Sequence, residues 1–425
     1  MYSGFESIIY NFLQNKKNIT FVPEEVYYQK QERNKMNIAI VVAAFNRPES
    51  LKRLLASISQ AEYNGNQVTL VISIDYQNSD RHAETVAIAK NFEWLFGEKM
   101  IIEHQRNLGL KKHILTCGRL TANYPAIIML EDDLLVSKQY YDYTQQMLDK
   151  YASDEHIAGI SLYAPSWISI FGKPGRPFIP DSSAYDAYFV QCAQSWGQCW
   201  TAGMWDNFYE WFLQHDMKLV PDPEIPGEVT RWPESSWLKY YIYYVVKTNK
   251  YFVQPYISLT TNFGDIGMHT DIVNSSGQSP LQNGKMQYRK PEFSEAVRYD
   301  VFFERMNLPV FPDIIPSDIC VDLYGAKRNI TKKRYWLTMD CAPYKILSSF
   351  GLYLRPHECN AILNIQGNDI FLYDTNEQGQ APKKKNPEMT KLWYDYKIIS
   401  FKNSLKIFLH NLKGRLLHSI QERLK

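Results

Sequence analysis

The 425-residue sequence lacks long apolar segments and a strong net charge. Its longest apolar run, residues 38–45, contains eight residues, whereas a transmembrane helix needs about 20. The net charge of +2 gives no reason to expect a nucleic-acid partner. Residues 1–6 show neither the basic region nor the apolar region of a secretory signal peptide. These absences lead us to expect a cytoplasmic protein.

Cysteine is scarce, and internal repeats are missing. The six cysteines show no close metal-ligand spacing, so we expect free and mostly buried thiols. Aromatic residues are abundant instead, with 30 Tyr, 21 Phe and 10 Trp. Many of them must pack in a core, and others can form platforms for sugar rings, whose apolar C–H faces suit aromatic faces.

Strand patterns and helix patterns alternate over residues 37–130. Such alternation predicts right-handed βαβ units and a doubly wound α/β sheet with helices on both faces. After residue 151 the regular alternation of strand and helix patterns ends. There we expect one more strand at 157–162 and helices at 204–215 and 237–248. The strands predicted in the alternating region are 38–43, 68–74, 100–103 and 126–130, and its helices are 48–59, 81–94 and 110–121.

Three consecutive carboxylates, Glu131, Asp132 and Asp133, directly follow the apolar run 126–130. If that run is a buried strand, the acids emerge at its carboxyl end, where open α/β sheets bind ligands. A hard divalent cation such as Mg²⁺ or Mn²⁺ would relieve their repulsion and leave coordination positions for the oxygens of a diphosphate. The alternative is a charged helix start, because acidic residues favour the first turn of a helix.

Four segments in this order resemble the nucleotide-sugar domain of GT-A-fold glycosyltransferases: residues 41–48, 72–75, 107–110 and 130–133. The resemblance covers roughly residues 37–270. Within that fold, the acidic triplet with the aromatic segment 140–143 is similar to the N-acetylglucosaminyltransferase I type and its bacterial relatives. The Trp-Gly block 196–200 and the segment 262–269 support the narrower similarity. The resemblance implies a GT-A (Rossmann-like) mixed sheet with a C-terminal extension.

The resemblance also implies roles for the residues at the strand ends. The first loop, with Ala44, Asn46 and Arg47, would contact the nucleotide sugar, and the Arg47 guanidinium would contact the diphosphate. Asp75 would accept a hydrogen bond from N3–H of uracil. The remaining assignments are Glu131 as the contact to the donor sugar, Asp132 as an assisting group through the nucleotide or its waters, Asp133 as the metal ligand, and His269 as a further group able to reach the metal or phosphate.

Enzymes of the resembled type invert the anomeric centre and use one carboxylate as general base. The family places this base as an Asp beside a Trp, but residues 232–237 of this chain contain no Asp. Glu234 is the nearest carboxylate and therefore the predicted base, with Asp265 as the alternative. The alternative is that Glu234 has a purely structural role, as a loop residue or a helix cap.

The last residues, 401–425, combine apolar and basic side chains at helical spacing, which is typical of an interfacial helix on an anionic membrane. The alternative is a terminal helix packed on the protein body or on another subunit. The apolar positions are Phe401, Leu405, Phe408, Leu409, Leu412, Leu416, Ile420 and Leu424, and the basic ones are Lys402, Lys406, Lys413, Arg415, Arg423 and Lys425, with Glu422 as the single acid.

The sequence predicts a metal-dependent, inverting glycosyltransferase that moves a hexosyl or N-acetylhexosaminyl group from a UDP-sugar to a glycan or lipid-linked acceptor. We expect the enzyme to be peripheral on the inner face of the cell membrane. One alternative is a nucleotidyltransferase, although the loop 44–48 lacks the glycines of a phosphate loop. Another is a non-catalytic carbohydrate- or membrane-binding module. The expected parts are an N-terminal extension (1–36), the glycosyltransferase domain (37–276), an accessory region (277–377), and a linker with the basic helix (378–425).

Overall fold

The computed structural model describes residues 38–168, 175–216, 219–265, 277–311, 313–327, 333–383, 387–396 and 400–423. The described residues up to Asn307 form one compact unit, together with residues 326–327. The described residues from Leu308 to Gly325 and from 333 onward form a second compact unit. The boundaries of the four parts expected from the sequence stay a prediction.

The first unit contains thirteen strands and seven α-helices in its described part. Its strands are β1 (Ile38–Ala44), β2 (Leu70–Ile74), β3 (Lys99–Glu103), β4 (Ala126–Glu131), β5 (Leu134–Val136), β6 (Ile157–Ser161), β7 (Trp167–Ile168), β8 (Arg176–Pro177), β9 (Ala187–Val190), β10 (Gln198–Thr201), β11 (Tyr251–Pro255), β12 (Thr260–Asn262) and β13 (Arg298–Tyr299). Its helices are α1 (Pro48–Ser59), α2 (Asp80–Asn91), α3 (Leu110–Gly118), α4 (Tyr140–Tyr151), α5 (Ala202–His215), α6 (Gly227–Arg231) and α7 (Trp237–Lys247).

A nine-stranded mixed sheet forms the centre of this unit, in the order β13-β9-β11-β6-β10-β4-β1-β2-β3. The four strands β4, β1, β2 and β3 are parallel, and β10 is antiparallel to both β4 and β6. The mixed α/β sheet flanked by helices that the sequence predicts is therefore confirmed. The antiparallel strand β10 was not expected from the sequence, because its four residues carry no clear period of their own.

The order of the strands reverses between β1 and β4. The chain steps from β1 to β2 to β3 in one direction and then returns to β4 on the other side of β1. Because such crossovers are right-handed, the helices α1 and α2 cover one face of the sheet and α3 covers the other. Ligands of open α/β sheets bind at the carboxyl ends of the strands where the order reverses. In this fold that position lies at the ends of β1 and β4.

Apolar sequence explains why these two strands are central. All seven residues of β1 are buried, and so are the first five residues of β4. Strands that are buried on both faces have continuous apolar sequences instead of alternating ones. Helix α1 begins with Pro48 in its first turn and buries Leu51, Leu54 and Leu55, the one-sided spacing of an amphipathic helix.

The second unit has a four-stranded sheet in the order β14-β15-β17-β16. Residues such as Leu337, Ile370 and Tyr394 form its core. No described helix of the chain combines the length and apolar character needed to cross a membrane. The elements of this unit are β14 (Ile319–Asp322), β15 (Tyr335–Thr338), β16 (Tyr344–Phe350), β17 (Ile370–Gln378), α8 (Cys359–Ile362), α9 (Pro387–Tyr396) and α10 (Phe401–Arg423).

The six cysteines are free thiols, four of them buried, as the sequence predicts. Helix α6 and the start of α9 lie in segments in which the sequence predicts no helix. The segment of α6 contains prolines and a glycine, and the segment of α9 contains lysines, residues that are typical of loops and linkers. Both helices are also too short to show a clear helical period in the sequence.

Candidate active site

The acidic triplet lies at the end of β4, next to the point where the strand order reverses. Glu131 is the last residue of β4, and Asp132 and Asp133 form the tight turn that leads into β5. Helix α4 begins only at Tyr140, so the three acids are not the first turn of a helix. The turn is held from the side, because the backbone N–H of Asp132 donates to the Ala43 carbonyl of β1 at 3.1 Å.

Arg47 connects the end of β1 with two of the three acids. Its Nη1 lies 2.9 Å from Asp133 Oδ2, and its other terminal nitrogen pairs with Asp132. Asp132 is almost fully buried and also accepts a hydrogen bond from the backbone N–H of Phe45 at 3.2 Å. The structure thus brings together residues from two segments that lie far apart in the sequence.

The electrostatic balance of this cluster favours an additional positive charge. Burial raises the pKa of Glu131 to about 8, and the neighbouring Asp133 adds to the shift. Burial also raises the pKa of Asp132 to about 6, although Arg47 opposes that rise. Burial alone would lower the pKa of Arg47, but Asp132 and Asp133 outweigh it and raise the pKa above its ordinary value. The guanidinium of Arg47 is therefore the positive charge that interacts with all three carboxyl groups.

The donor atoms at the turn fit a hard divalent cation. Asp133 Oδ1 is buried and has no hydrogen-bond partner among the described residues, so one carboxylate oxygen is left for a further ligand. Across the residues that the structure describes, no group of three or more His, Cys, Asp or Glu side chains is arranged to hold a metal ion. Mg²⁺ commonly binds through one or two carboxylates and completes its shell with substrate phosphates and water. The predicted ligand His269 lies outside the described residues.

Asp75 is buried at the end of β2, where it organises the neighbouring loop. Its carboxylate accepts hydrogen bonds from the backbone N–H groups of Tyr76 at 2.9 Å, Leu108 at 2.8 Å and Gly109 at 3.0 Å. Gly109 has φ +74°, a backbone conformation that favours glycine, and caps α3. A carboxylate has about four acceptor positions, so one remains for a ligand. The predicted contact to uracil stays a prediction.

The first loop is tied to the loop after β2. The Ala44 carbonyl accepts from the Asp75 N–H at 2.9 Å, and the Asn46 amide donates to Gln77 at 2.5 Å. Arg81 Nε donates to the Asn46 carbonyl at 3.1 Å. This exposed guanidinium is not among the predicted site residues, although its position in the first turn of α2 places it at the same edge of the sheet. Helix α2 thus places a second basic group against the first loop.

Asp265 lies in the segment that passes the acidic turn. The backbone N–H of Phe263 donates to the Asp133 carbonyl at 3.0 Å, which holds the two segments together. Asp265 itself accepts a hydrogen bond from Ser50 Oγ at 2.6 Å and pairs with Arg53 on α1. The Arg53 guanidinium lies over the Phe263 ring, 3.7 Å from its centroid. Asp265 is therefore close to the acidic turn but already paired.

Glu234 makes no direct contact with the acidic triplet in the described structure. It accepts a hydrogen bond from Lys239 Nζ at 2.7 Å and another from the Tyr240 hydroxyl. These two bonds hold the pKa of Glu234 below its ordinary value. Lys239 is buried, and its ammonium also donates to the Trp232 carbonyl at 3.0 Å. Glu234 is thus an ionised, exposed carboxylate that α7 holds in one position.

No model of a protein family matches the chain, and no curated protein sequence matches it. Solved structures show a weak likeness. TarS 1–349 of S. aureus in complex with UDP-GlcNAc has 9% identity over 55% of this chain and 60% of its own, with a TM-score of 0.32. The mannosyltransferase PcManGT from Pyrobaculum calidifontis in complex with GDP-Man and Mn²⁺ has 9% identity over 42% and 50%, with a TM-score of 0.29.

A third solved structure, GalNAc-T7 with UDP, GalNAc and Mn²⁺, has 13% identity over 52% of this chain and 42% of its own, with a TM-score of 0.37. The matched regions therefore span less than two thirds of each of these proteins. Likenesses this weak assign neither a family nor an activity to the chain.

Proposed function

We propose that the chain is a metal-dependent, inverting GT-A glycosyltransferase that transfers a hexosyl or N-acetylhexosaminyl group from a UDP-sugar to a glycan or lipid-linked acceptor. One observation carries the proposal: Arg47, Asp132 and Asp133 meet where the strand order reverses, and one oxygen of Asp133 has no partner in the part of the chain that the structure describes. A diphosphate needs a cation and a guanidinium at one point, and this cluster offers a place for both.

Each residue of the cluster has a separate task in the proposed donor complex. Asp133 offers its unpartnered Oδ1 to Mn²⁺ or Mg²⁺, and Arg47 offers its planar guanidinium to the diphosphate. The bound cation would offset charge on the departing diphosphate. Glu131 faces the donor sugar, and Asp132 keeps the turn in place through Phe45. Asp75 accepts from uracil N3–H.

The transfer step exchanges one C–O bond at the anomeric carbon for another and moves one proton. The acceptor hydroxyl oxygen attacks the anomeric carbon from the face opposite the diphosphate, and the bond between that carbon and the phosphate oxygen breaks. The electron pair of the broken bond leaves with UDP, and the hydroxyl proton passes to a carboxylate base. Glu234 is the proposed base, and Asp265 is the alternative.

The first test is nucleotide binding by the native chain. UDP is expected to bind more tightly than CDP by about 1.5–3 kcal/mol, because Asp75 can accept a hydrogen bond from N3–H of uracil, a donor that cytosine lacks at that position. Removal of divalent cations with a chelator is expected to weaken UDP binding. Isothermal calorimetry with UDP and CDP, with and without Mn²⁺, measures both effects.

A matched pair of variants accompanies that measurement. Asp75→Asn should reduce the preference for UDP over CDP, whereas Asp80→Asn, an exposed change in the first turn of α2, should leave it unchanged. Equal affinity of the native protein for UDP and CDP would contradict the uridine assignment. Failure of the native protein to bind either nucleotide in the presence of Mn²⁺ would contradict the donor site as a whole.

We further propose that α10 docks on anionic membrane, which would bring the site to a lipid-linked acceptor. The side chains from Phe401 to Lys413 are all exposed, including Phe408 and Leu412. Contiguous exposed apolar residues in a protein usually mark a partner surface. Ile407 is also exposed and lies away from the predicted stripe at 100° per residue, so the apolar surface is broader than the sequence pattern indicates.

Vesicle binding tests the membrane proposal. The full chain should co-sediment with anionic vesicles, and added salt should weaken the binding without abolishing it, because salt screens the charges and not the apolar face. Replacing Lys402, Lys406 and Lys413 together by Gln should reduce binding, with each residue contributing at most about 1 kcal/mol. Equal sedimentation of a chain ending after residue 399 would refute the proposal, and a tail-dependent oligomer would favour the packing alternative.

A further inference from the structure

An aromatic pocket of about 160 Å³ lies in the first unit. Its described lining includes Tyr163, Trp167, Trp196 and Trp232, with apolar side chains between them. Gln194 and Ser195 supply the polar part of the wall, and no charged side chain lines the pocket in the described structure. A neutral ligand with an apolar face and polar edges suits such a wall, whereas a phosphate or a nucleotide does not.

The pocket lies at the same edge of the sheet as the acidic turn. In the antiparallel ladder of β10 and β4, Gln198 lies opposite Met129. This pair ends the ladder, and Trp196, two residues before β10, lies on the side of the carboxyl end of β4. The Thr260 hydroxyl donates to the Trp196 carbonyl at 2.5 Å, and Thr260 belongs to β12, which pairs with β5 directly after the acidic turn.

The position of Trp196 is fixed by its neighbours. The Tyr163 ring packs edge-on against it with the centroids 4.8 Å apart, and the Tyr163 hydroxyl donates to the Gly277 carbonyl at 3.0 Å. A Cβ atom at Gly277 would lie 2.5 Å from the Trp196 ring. Glycine at this position therefore allows the indole to take its place in the wall.

Polar groups of the wall remain available to a ligand. Gln194 Nε2 makes one long contact, 3.9 Å to Cys192 Sγ. The Ser195 hydroxyl and the indole N–H groups of Trp196 and Trp232 have no hydrogen-bond partner among the described residues, and these side chains are half-buried. Such groups can bind hydroxyls at the edge of a ring while the aromatic faces cover its C–H surface.

The size of the pocket limits the ligand to one ring. An engineered cavity of about 150 Å³ accommodates benzene, so a pocket of about 160 Å³ takes a single six-membered ring. The wall is also joined to the proposed base, because Lys239 Nζ bonds the Trp232 carbonyl and Glu234 together. A ring bound here would lie in a wall that is tied to both the carboxylate of Glu234 and the acidic turn.

We propose that this pocket binds the terminal pyranose ring of a neutral acceptor glycan, an inference that rests on the proposed glycosyltransferase function. The aromatic wall recognises the C–H face of the ring, and Gln194 and Ser195 bind its hydroxyls. The acceptor is therefore a sugar chain that ends in an uncharged pyranose, and neither a nucleotide nor an anionic sugar occupies this pocket.

Saturation-transfer NMR of the native full-length protein tests the proposal. The probes are the methyl β-glycosides of glucose, galactose and N-acetylglucosamine, with sorbitol as an acyclic polyol control. At least one glycoside should receive saturation at its ring protons, and sorbitol should receive none. Trp232→Ala and Gln194→Leu should each raise the dissociation constant about two- to twelvefold, and the exposed Trp393→Ala should leave it unchanged.

Calorimetry with UDP on the same samples separates this proposal from the proposed function. UDP binding together with a response to sorbitol equal to that of the glycosides would overturn the pyranose pocket alone. The pyranose pocket would also be overturned if the native protein binds UDP and both Trp232→Ala and Gln194→Leu bind the glycosides as tightly as the native protein does. If the native protein does not bind UDP, the donor site is overturned, whatever the result with the glycosides.

Discussion

Asp133→Asn is expected to lower metal-dependent sugar transfer roughly a thousandfold, because a bound cation contributes several kcal/mol to a charged transition state and each decade of rate corresponds to about 1.4 kcal/mol. The amide keeps the shape of the carboxylate but removes the charge that attracts both the cation and Arg47. Release of UDP, followed over a titration with Mn²⁺, measures the loss.

Asp149→Asn is a suitable control, because Asp149 is exposed on α4 and the same charge is removed away from the site. The control should transfer sugar at the native rate. Thermal unfolding of both variants shows whether the fold is intact. If Asp133→Asn transfers sugar at the native rate with saturating Mn²⁺, Asp133 is not the metal ligand.

Glu234→Gln is expected to lower turnover about 10²- to 10⁴-fold while UDP binding persists, because a general base acts in the transition state and not in donor binding. Lys239 and Tyr240 hold the pKa of Glu234 below the ordinary value of 4.5. A base works in its deprotonated form, so the native turnover should not fall as the pH drops from 7 to about 5 on account of this group. Turnover measured against pH tests this expectation.

Two further variants decide between the candidate bases. Tyr240→Phe removes one hydrogen bond to Glu234 and keeps the ring, so the pKa of Glu234 should rise and the acid limb of the pH profile should move to higher pH. Asp265→Asn should lower transfer much less than Glu234→Gln does. If Asp265→Asn gives the large loss and Glu234→Gln does not, the roles of the two residues must be exchanged.

The sequence predicts the parallel half of the sheet well, because each of its strands is a short apolar run followed by a helical period. The runs that become β1 and β4 are buried along nearly their whole length, and their ends point to the site. The acidic turn is also visible in the sequence, since three consecutive acids directly follow the apolar run that becomes β4. The confirmed mixed α/β sheet flanked by helices follows from these local signals and from the handedness of the crossovers.

Other features depend on contacts between distant segments. The ion pair between Arg47 and Asp133 joins residues 86 positions apart, and nothing near Arg47 in the sequence indicates its partner. The pocket wall combines Tyr163, Trp196 and Trp232 from three separate segments, and the sequence offers no clue that they meet. Asp75 has a recognisable position in the sequence, but its three backbone donors become visible only in the structure.

The guanidinium of Arg47 has a consequence for the order in which ligands arrive. It is bound to Oδ2 of Asp133, the carboxylate whose Oδ1 is proposed to bind the cation, and the chain keeps it there at a high local concentration, on the order of millimolar or more. The guanidinium therefore repels a free divalent ion that approaches Oδ1, whereas an ion that arrives with a diphosphate brings the guanidinium a second anion to bind. We therefore expect the ion and the nucleotide to strengthen each other's binding, by equal factors.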